Sequence, residues 1–147
     1  MSDVILAVKA VWCEKILTGE KTVEVRRVLP VKLRVGDKVY LYYGGAIWGY
    51  AECLWVEMVD EADEYELWPL AEVYADRACL EEEAMVEYML GGKRAGVILL
   101  GRVERYAKPE VYKGAPPQNF VYVDGRHEPC RGEFCEGKKF EQSEMAL

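Results

Sequence analysis

Apolar residues recur along this chain in two periods, and the switches between them mark its elements. Val4-Ile5-Leu6-Ala7-Val8 is an unbroken apolar run suited to a buried strand. Cys13, Ile16 and Leu17 then recur at helical spacing until Gly19 supplies a stop. From Lys21 the period falls to two, with Val23 and Val25 alternating against Thr22, Glu24 and Arg26, the mark of a half-buried strand. Pro30 and Gly36-Asp37 punctuate a turn, and residues 38 to 43 and 47 to 56 read as two strands joined at Gly44-Gly45 in a hairpin. Leu67, Leu70, Ala71 and Tyr74 return to helical spacing, and Met85, Tyr88 and Met89 repeat it, which predicts two helices broken near Asp76 to Cys79. Gly91-Gly92 ends the second helix, residues 95 to 106 form another strand, and Lys108-Pro109 closes it. Successive prolines make Lys113-Gly-Ala-Pro-Pro117 a rigid extended loop, and residues 118 to 123 read as the last strand.

Strand, short helix and strand, followed by more strands with helices inserted late, predict an α+β fold. The expected form is a small mixed β-barrel, closed or half closed, with its helices at one side. A chain of 147 residues that is 51% apolar has the material for one core. The domain is expected over residues 1 to 125, followed by a polar, glycine-bearing tail over 126 to 147. No apolar run approaches the roughly 18 residues of a membrane span, and Met1-Ser2-Asp3-Val4 lacks the start of a signal peptide. A cytoplasmic protein without a membrane partner is expected. Cys13, Cys53 and Cys79 stand singly in apolar surroundings, which suits buried thiols in a reducing compartment.

The net charge of −7 argues against a long basic track for nucleic acid. It is unevenly distributed. Residues 56 to 90 carry twelve acidic groups against one basic, whereas residues 1 to 55 carry eight basic against six acidic and residues 91 to 147 ten against eight. Two mildly basic arms therefore flank an acidic helical block, leaving room for a small positive site. The acidic helices also offer a face for a basic protein partner. Within them, Glu81-Glu82-Glu83 reads as the first turn of a helix, where carboxylates oppose the positive end of the dipole.

The chemistry-bearing residues converge on the first helix and the strand after it. Lys9 leaves the first strand and Lys21 opens the second, so both amines reach one cleft when Gly19 turns the chain back. Glu24 and Arg26 lie two apart and share a face, placing a carboxylate beside a guanidinium fork. Such a set suits phosphate and base edges, and also acid-base chemistry with Lys21 and Glu24 as the catalytic pair. The same three side chains also fit a solvated face with a weak ion pair.

Ala7-Val-Lys-Ala10, then Lys15-Ile-Leu-Thr-Gly-Glu-Lys-Thr-Val-Glu-Val-Arg-Arg27, Gly36-Asp37, Tyr42 and Trp48-Gly49 together resemble the ASCH domain, a PUA-like family. The resemblance extends to Gly96-Val-Ile-Leu and Pro116-Pro-Gln-Asn119. It implies a small β-barrel with peripheral α-helices and binding of RNA or a nucleotide, with a role in RNA metabolism and no cofactor. Its cleft maps onto Lys9, Lys21, Glu24 and Arg26, with Tyr42 to stack on a base and Gln118 to read its edge. Hydrolysis in the same cleft is the alternative, since relatives include ribonucleases and amidohydrolases that deacylate N4-acylated cytidine with a Lys, a Thr three residues later and a Glu. Here Glu24 stands three after Lys21, and the hydroxyl of that constellation is missing.

Other single residues add less. His127, Cys130 and Cys135 form a His-x2-Cys-x4-Cys array that falls one ligand short of a structural zinc site, so no metal is expected. A disulfide between Cys130 and Cys135 and two free thiols both remain open. Trp48, Trp55 and Trp68 are expected as core or barrel staves.

Overall fold

Each change of apolar period coincides with a change of element in the computed structural model, which describes residues 2–124 and 140–142. The elements run β1 (Ser2–Ala7), α1 (Ala10–Leu17), β2 (Val23–Arg26), β3 (Lys38–Tyr43), β4 (Ala46–Asp60), α2 (Glu64–Tyr74), α3 (Glu82–Met89), β5 (Arg94–Val111), β6 (Phe120–Asp124) and β7 (Phe140–Gln142). The strands form one mixed sheet in the order β2-β5-β4-β3-β1-β6-β7, in which β1 and β3 are parallel and the other pairs antiparallel. The expected α+β class holds. The tail residues His127, Cys130 and Cys135 lie outside the described residues.

Alternation along β5 sorts its side chains between two cores. Ile98 and Leu100 join Val4, Leu6, Val39 and Leu41 in a core that α1 covers with Cys13, Ile16 and Leu17. Val97 joins Val23 and Val25 of β2 in a second core, covered by Leu67, Leu70 and Ala71 of α2 and by Met85, Val86 and Met89 of α3. Strand β2 is therefore buried at all four positions, Glu24 and Arg26 included, and is not the half-solvated strand its alternation suggests. Burial pushes the Cys13 thiol up to about 12 and that of Cys53 up to about 11, so both are inert core residues, as expected, whereas Cys79 is only half-buried. The Glu81 N-cap and first-turn Glu82 and Glu83 open α3 as read from the sequence. Among the described residues, no helix is long and apolar enough to cross a membrane.

Other expectations need correction as well, the last strand among them, since β7 follows β6 within the expected tail and pairs with it. Strand β5 does not end at Lys108-Pro109 but runs to Val111. Its ladder with β4 jumps from Gly49↔Arg105 to Ile47↔Glu110, so residues 106 to 109 bulge out of register and Pro109 forfeits no ladder bond. The tryptophans also divide. Trp48 stacks on Tyr43 at 4.6 Å and donates from Nε1 to its carbonyl at 3.0 Å, whereas Trp55 and Trp68 are exposed, because β4 runs on to Asp60 after its ladder with β3 stops at Glu52 and Trp68 lies off the buried stripe of α2.

Gly96 pairs with Arg26 on one side and Met58 on the other, and a Cβ placed there falls 2.0 Å from the Glu57 carbonyl oxygen and 2.7 Å from Leu29 Cδ1. We expect Gly96→Ala to cost about 3 kcal/mol, the upper range of overpacking, read as a lowered denaturant midpoint. Equal midpoints for the two proteins would contradict this close approach of β4 and β5.

Candidate functional site

The site begins where β1 stops. The Val8 amide still bonds to the Tyr42 carbonyl at 3.0 Å, and Lys9 then becomes the N-cap of α1. Residues three apart share a helical face, so Lys9 and Trp12 point the same way. After α1, Gly19 adopts a φ of 84°, a left-handed turn suited to glycine, and the Lys21 amide returns to the Lys15 carbonyl at 2.9 Å. This reversal lays Lys21 over Trp12, its Nζ 4.8 Å from the ring centroid. Strand β2 follows and sets Glu24 and Arg26 beside it. Together these residues line a cavity of about 330 Å³, whose further wall is Leu80, Ala84 and Tyr88 at and along α3.

Lys21 is only 3% exposed. Its Nζ donates to the Ala78 carbonyl at 2.5 Å and lies 3.7 Å from Glu24 Oε1. Burial lowers its pKa from the ordinary 10.5, and the Glu24 carboxylate opposes that shift. The amine is thus held between a desolvation that favours the neutral form and a carboxylate that favours the cation.

Arg26 is more fully committed. Its Nε and Nη2 both reach Glu24 Oε2, at 2.8 and 2.7 Å, Nη1 donates to Asn119 Oδ1 at 2.6 Å, and Nη2 donates to the Ala7 carbonyl at 2.6 Å. Asn119 in turn donates to the Val28 carbonyl at 3.3 Å. These bonds fix one oxygen of Glu24 and leave Oε1 beside Lys21. The pair then presents a donor next to an acceptor on one wall, with Trp12, Leu80, Ala84 and Tyr88 as aromatic and apolar surface.

Four of the six residues read from the sequence, Lys9, Lys21, Glu24 and Arg26, are brought together at this cavity. Tyr42 and Gln118 are not among its lining residues. Tyr42 packs edge-on against Tyr112 at 5.5 Å, and Gln118 is exposed while its neighbour Asn119 turns inward to Arg26. Thr22 accepts a bond from Arg77 Nε at 3.4 Å, off the cavity wall, as the alternation of the strand requires. Trp12 and Asn119 were the missed participants. The spacing of Lys9 and Trp12 carried the signal for the first, and the choice between two neighbouring amides hid the second. Nothing in the acidic segment announced that α3 would form a wall. Among the described residues, no group of three or more His, Cys, Asp or Glu is placed to hold a metal ion.

The profile of a family described as "Domain of unknown function (DUF365)" matches residues 1–127. No curated protein matches the sequence. Solved structures do match in fold. The ASCH protein from Zymomonas mobilis is similar with a TM-score of 0.61 at 20% identity, covering 84% of this chain and 89% of that one. A tyrosine-to-phenylalanine mutant of it gives 0.70 at 19% identity, over 84% and 91% of the two chains, and a serine-to-alanine mutant gives 0.63 at 20%, over 83% and 88%. The chain therefore has an ASCH-like fold, in agreement with the resemblance carried by its motifs.

Two outcomes follow from the buried charges. Arg26→Met leaves Glu24 buried without its main partner and is expected to cost about 3 to 5 kcal/mol in denaturant unfolding. A loss under about 1 kcal/mol would mark the pair as a solvent-like one. Lys21, with its lowered pKa, binds fewer protons folded than unfolded in the interval below 10.5, so its contribution to stability rises with pH there. The wild type should gain stability relative to Lys21→Met as pH climbs toward 10.5, and parallel stability curves would contradict the lowered pKa.

Proposed function

The chain belongs to the DUF365 family, and we propose that it binds RNA or a nucleotide by taking a single base into the cavity between α1, β2 and α3. The observation that carries this reading is the juxtaposition of Lys21 Nζ and Glu24 Oε1, 3.7 Å apart on the cavity wall. A buried amine donor beside a buried carboxylate acceptor complements the edge of a nucleobase, whose N–H meets the carboxylate and whose ring nitrogen or carbonyl meets the amine. Trp12 and Tyr88 supply ring surface for the faces of the base. Exposed Lys9 supplies positive charge for a phosphate. A cavity of about 330 Å³ suits one base or nucleoside and not a duplex, in keeping with the acidic net charge. Arg26 serves this reading by positioning Glu24 rather than by meeting the ligand.

We also infer that residues 1 to 125 form the functional unit, with β7 added at the β6 edge of its sheet, and that this mixed sheet closes as a PUA-like barrel. Closure is supported by links from β2 and the segment after it to the β1 and β6 side of the sheet. Arg26 of β2 bonds to the end of β1, and the Tyr122 hydroxyl on β6 accepts from the Lys32 amide at 3.1 Å.

The lowered pKa of Lys21 favours a second reading, hydrolysis in the same cavity. A desolvated lysine beside a carboxylate has the makings of a base or nucleophile with a proton shuttle, acting on RNA or on an acylated nucleoside.

Titration of labelled single-stranded RNA and of nucleotides should show binding that weakens about tenfold to a hundredfold in Lys21→Met, the loss of one charge-assisted hydrogen bond. Equal binding by both proteins would overturn the base-binding reading. Incubation of the wild type with single-stranded RNA and with acylated cytidines, followed by chromatography, separates the two readings. A product that disappears in Lys21→Met establishes hydrolysis.

A further inference from the structure

From the outlying end of β4 we infer a second surface, through which two copies of this chain pair edge to edge. Strand β4 bonds to β5 as far as Asp60↔Arg94, but its ladder with β3 stops at Lys38↔Glu52. The Gly36 amide and the Asp37 carbonyl still bond to Cys53, both at 2.8 Å. From Leu54 to Asp60, among the described residues, no strand pairs with the side of β4 away from β5. Among the described residues these seven form an open sheet edge. It carries no proline and no lysine, and Leu54, Trp55 and Met58 are 39, 53 and 46% exposed.

Beside this edge runs a groove of about 300 Å³, with Pro30, Val31 and Val35 on one side and Trp55, Val56 and Met58 on the other. It lies where β3 would continue had the chain before Gly36 not diverged from β4. An extended strand laid there gains main-chain bonds from the β4 edge and apolar contact from the groove.

Charge selects a second copy as that strand. The exposed Leu54–Asp60 segment ends in acid, and the groove at its opposite end holds Arg34, whose Nη1 donates to the carbonyls of Val31 and Leu33. Antiparallel pairing of β4 with its own copy about a two-fold axis brings the Asp60 end of each strand to the Leu54 end of the other, and so to the other copy's Arg34. The contact is self-complementary and occurs twice, as a two-fold interface requires. It joins the two sheets into one and covers the exposed Trp55 of each copy.

Analytical ultracentrifugation of the full chain tests this. The wild type should sediment as a concentration-dependent dimer. Met58→Lys, at an exposed position, and Arg34→Glu should each raise the dissociation constant about tenfold or more with unchanged circular dichroism. Combining Arg34→Glu with Asp60→Arg should restore dimerisation. A wild type that stays monomeric at every accessible concentration overturns the proposal. A dimer that Met58→Lys and Arg34→Glu leave undiminished overturns it as well.

Discussion

The guanidinium of Arg26 holds together parts of the chain that the sheet's ladders leave apart. Among the described residues, strand β2 pairs only with β5, at one end of the strand order, while β1 and β6 lie toward the other. Arg26 crosses that separation, reaching the Ala7 carbonyl at the end of β1 and the Asn119 side chain at the start of β6, and it neutralises Glu24 on its own strand. A buried ion pair of this kind contributes little net stability, because desolvating two charges offsets most of their attraction. What it contributes is definition. One oxygen of Glu24 is fixed, the other is left available, and three segments meet in a single geometry.

Lys21 depends on that arrangement. Burial disfavours the charged form of an amine that is 3% exposed, the Glu24 carboxylate opposes that shift, and Arg26 holds the carboxylate through an ion pair of 2.7 Å. The site is therefore a chain of mutual compensation running from Asn119 through Arg26 and Glu24 to Lys21. The Trp12 ring closes it on the side of α1. Ligand contact at one end and fold integrity at the other share the same atoms, so the residues that shape the cavity wall cannot vary independently.

Much of this was legible in the chain because it is local. The Gly19 reversal and the period-two spacing of Glu24 and Arg26 sufficed to place Lys9, Lys21, Glu24 and Arg26 together. Elements were found wherever one period ran unbroken, as in α1, β3 and α3. What escaped the sequence was set by partners far along the chain. Alternation along β2 implies one solvated face, but whether Glu24 faces water is decided by Asn119, ninety-odd positions away, and by Trp12 and α3. Pro109 reads as a strand terminator until the bulge opposite Trp48 removes its need for a ladder bond. Trp55 reads as core until β4 is seen to outrun β3.

The acidic segment ends up with a different standing from the one its composition suggests. Its charge sets it apart, as though it were an insertion added to a finished domain. Yet the Ala78 carbonyl receives the Lys21 amine, and the Arg77 carbonyl receives the Thr22 and Val23 amides at 2.9 and 3.2 Å. The backbone between α2 and α3 is thus part of the mounting of β2. This segment is not a detachable module: a graft that exchanged it for another family member's helices, or a deletion that trimmed it, would have to reproduce the path of residues 77 and 78 to keep Lys21 in place. Its exposed acidic side chains are freer to drift than its main chain.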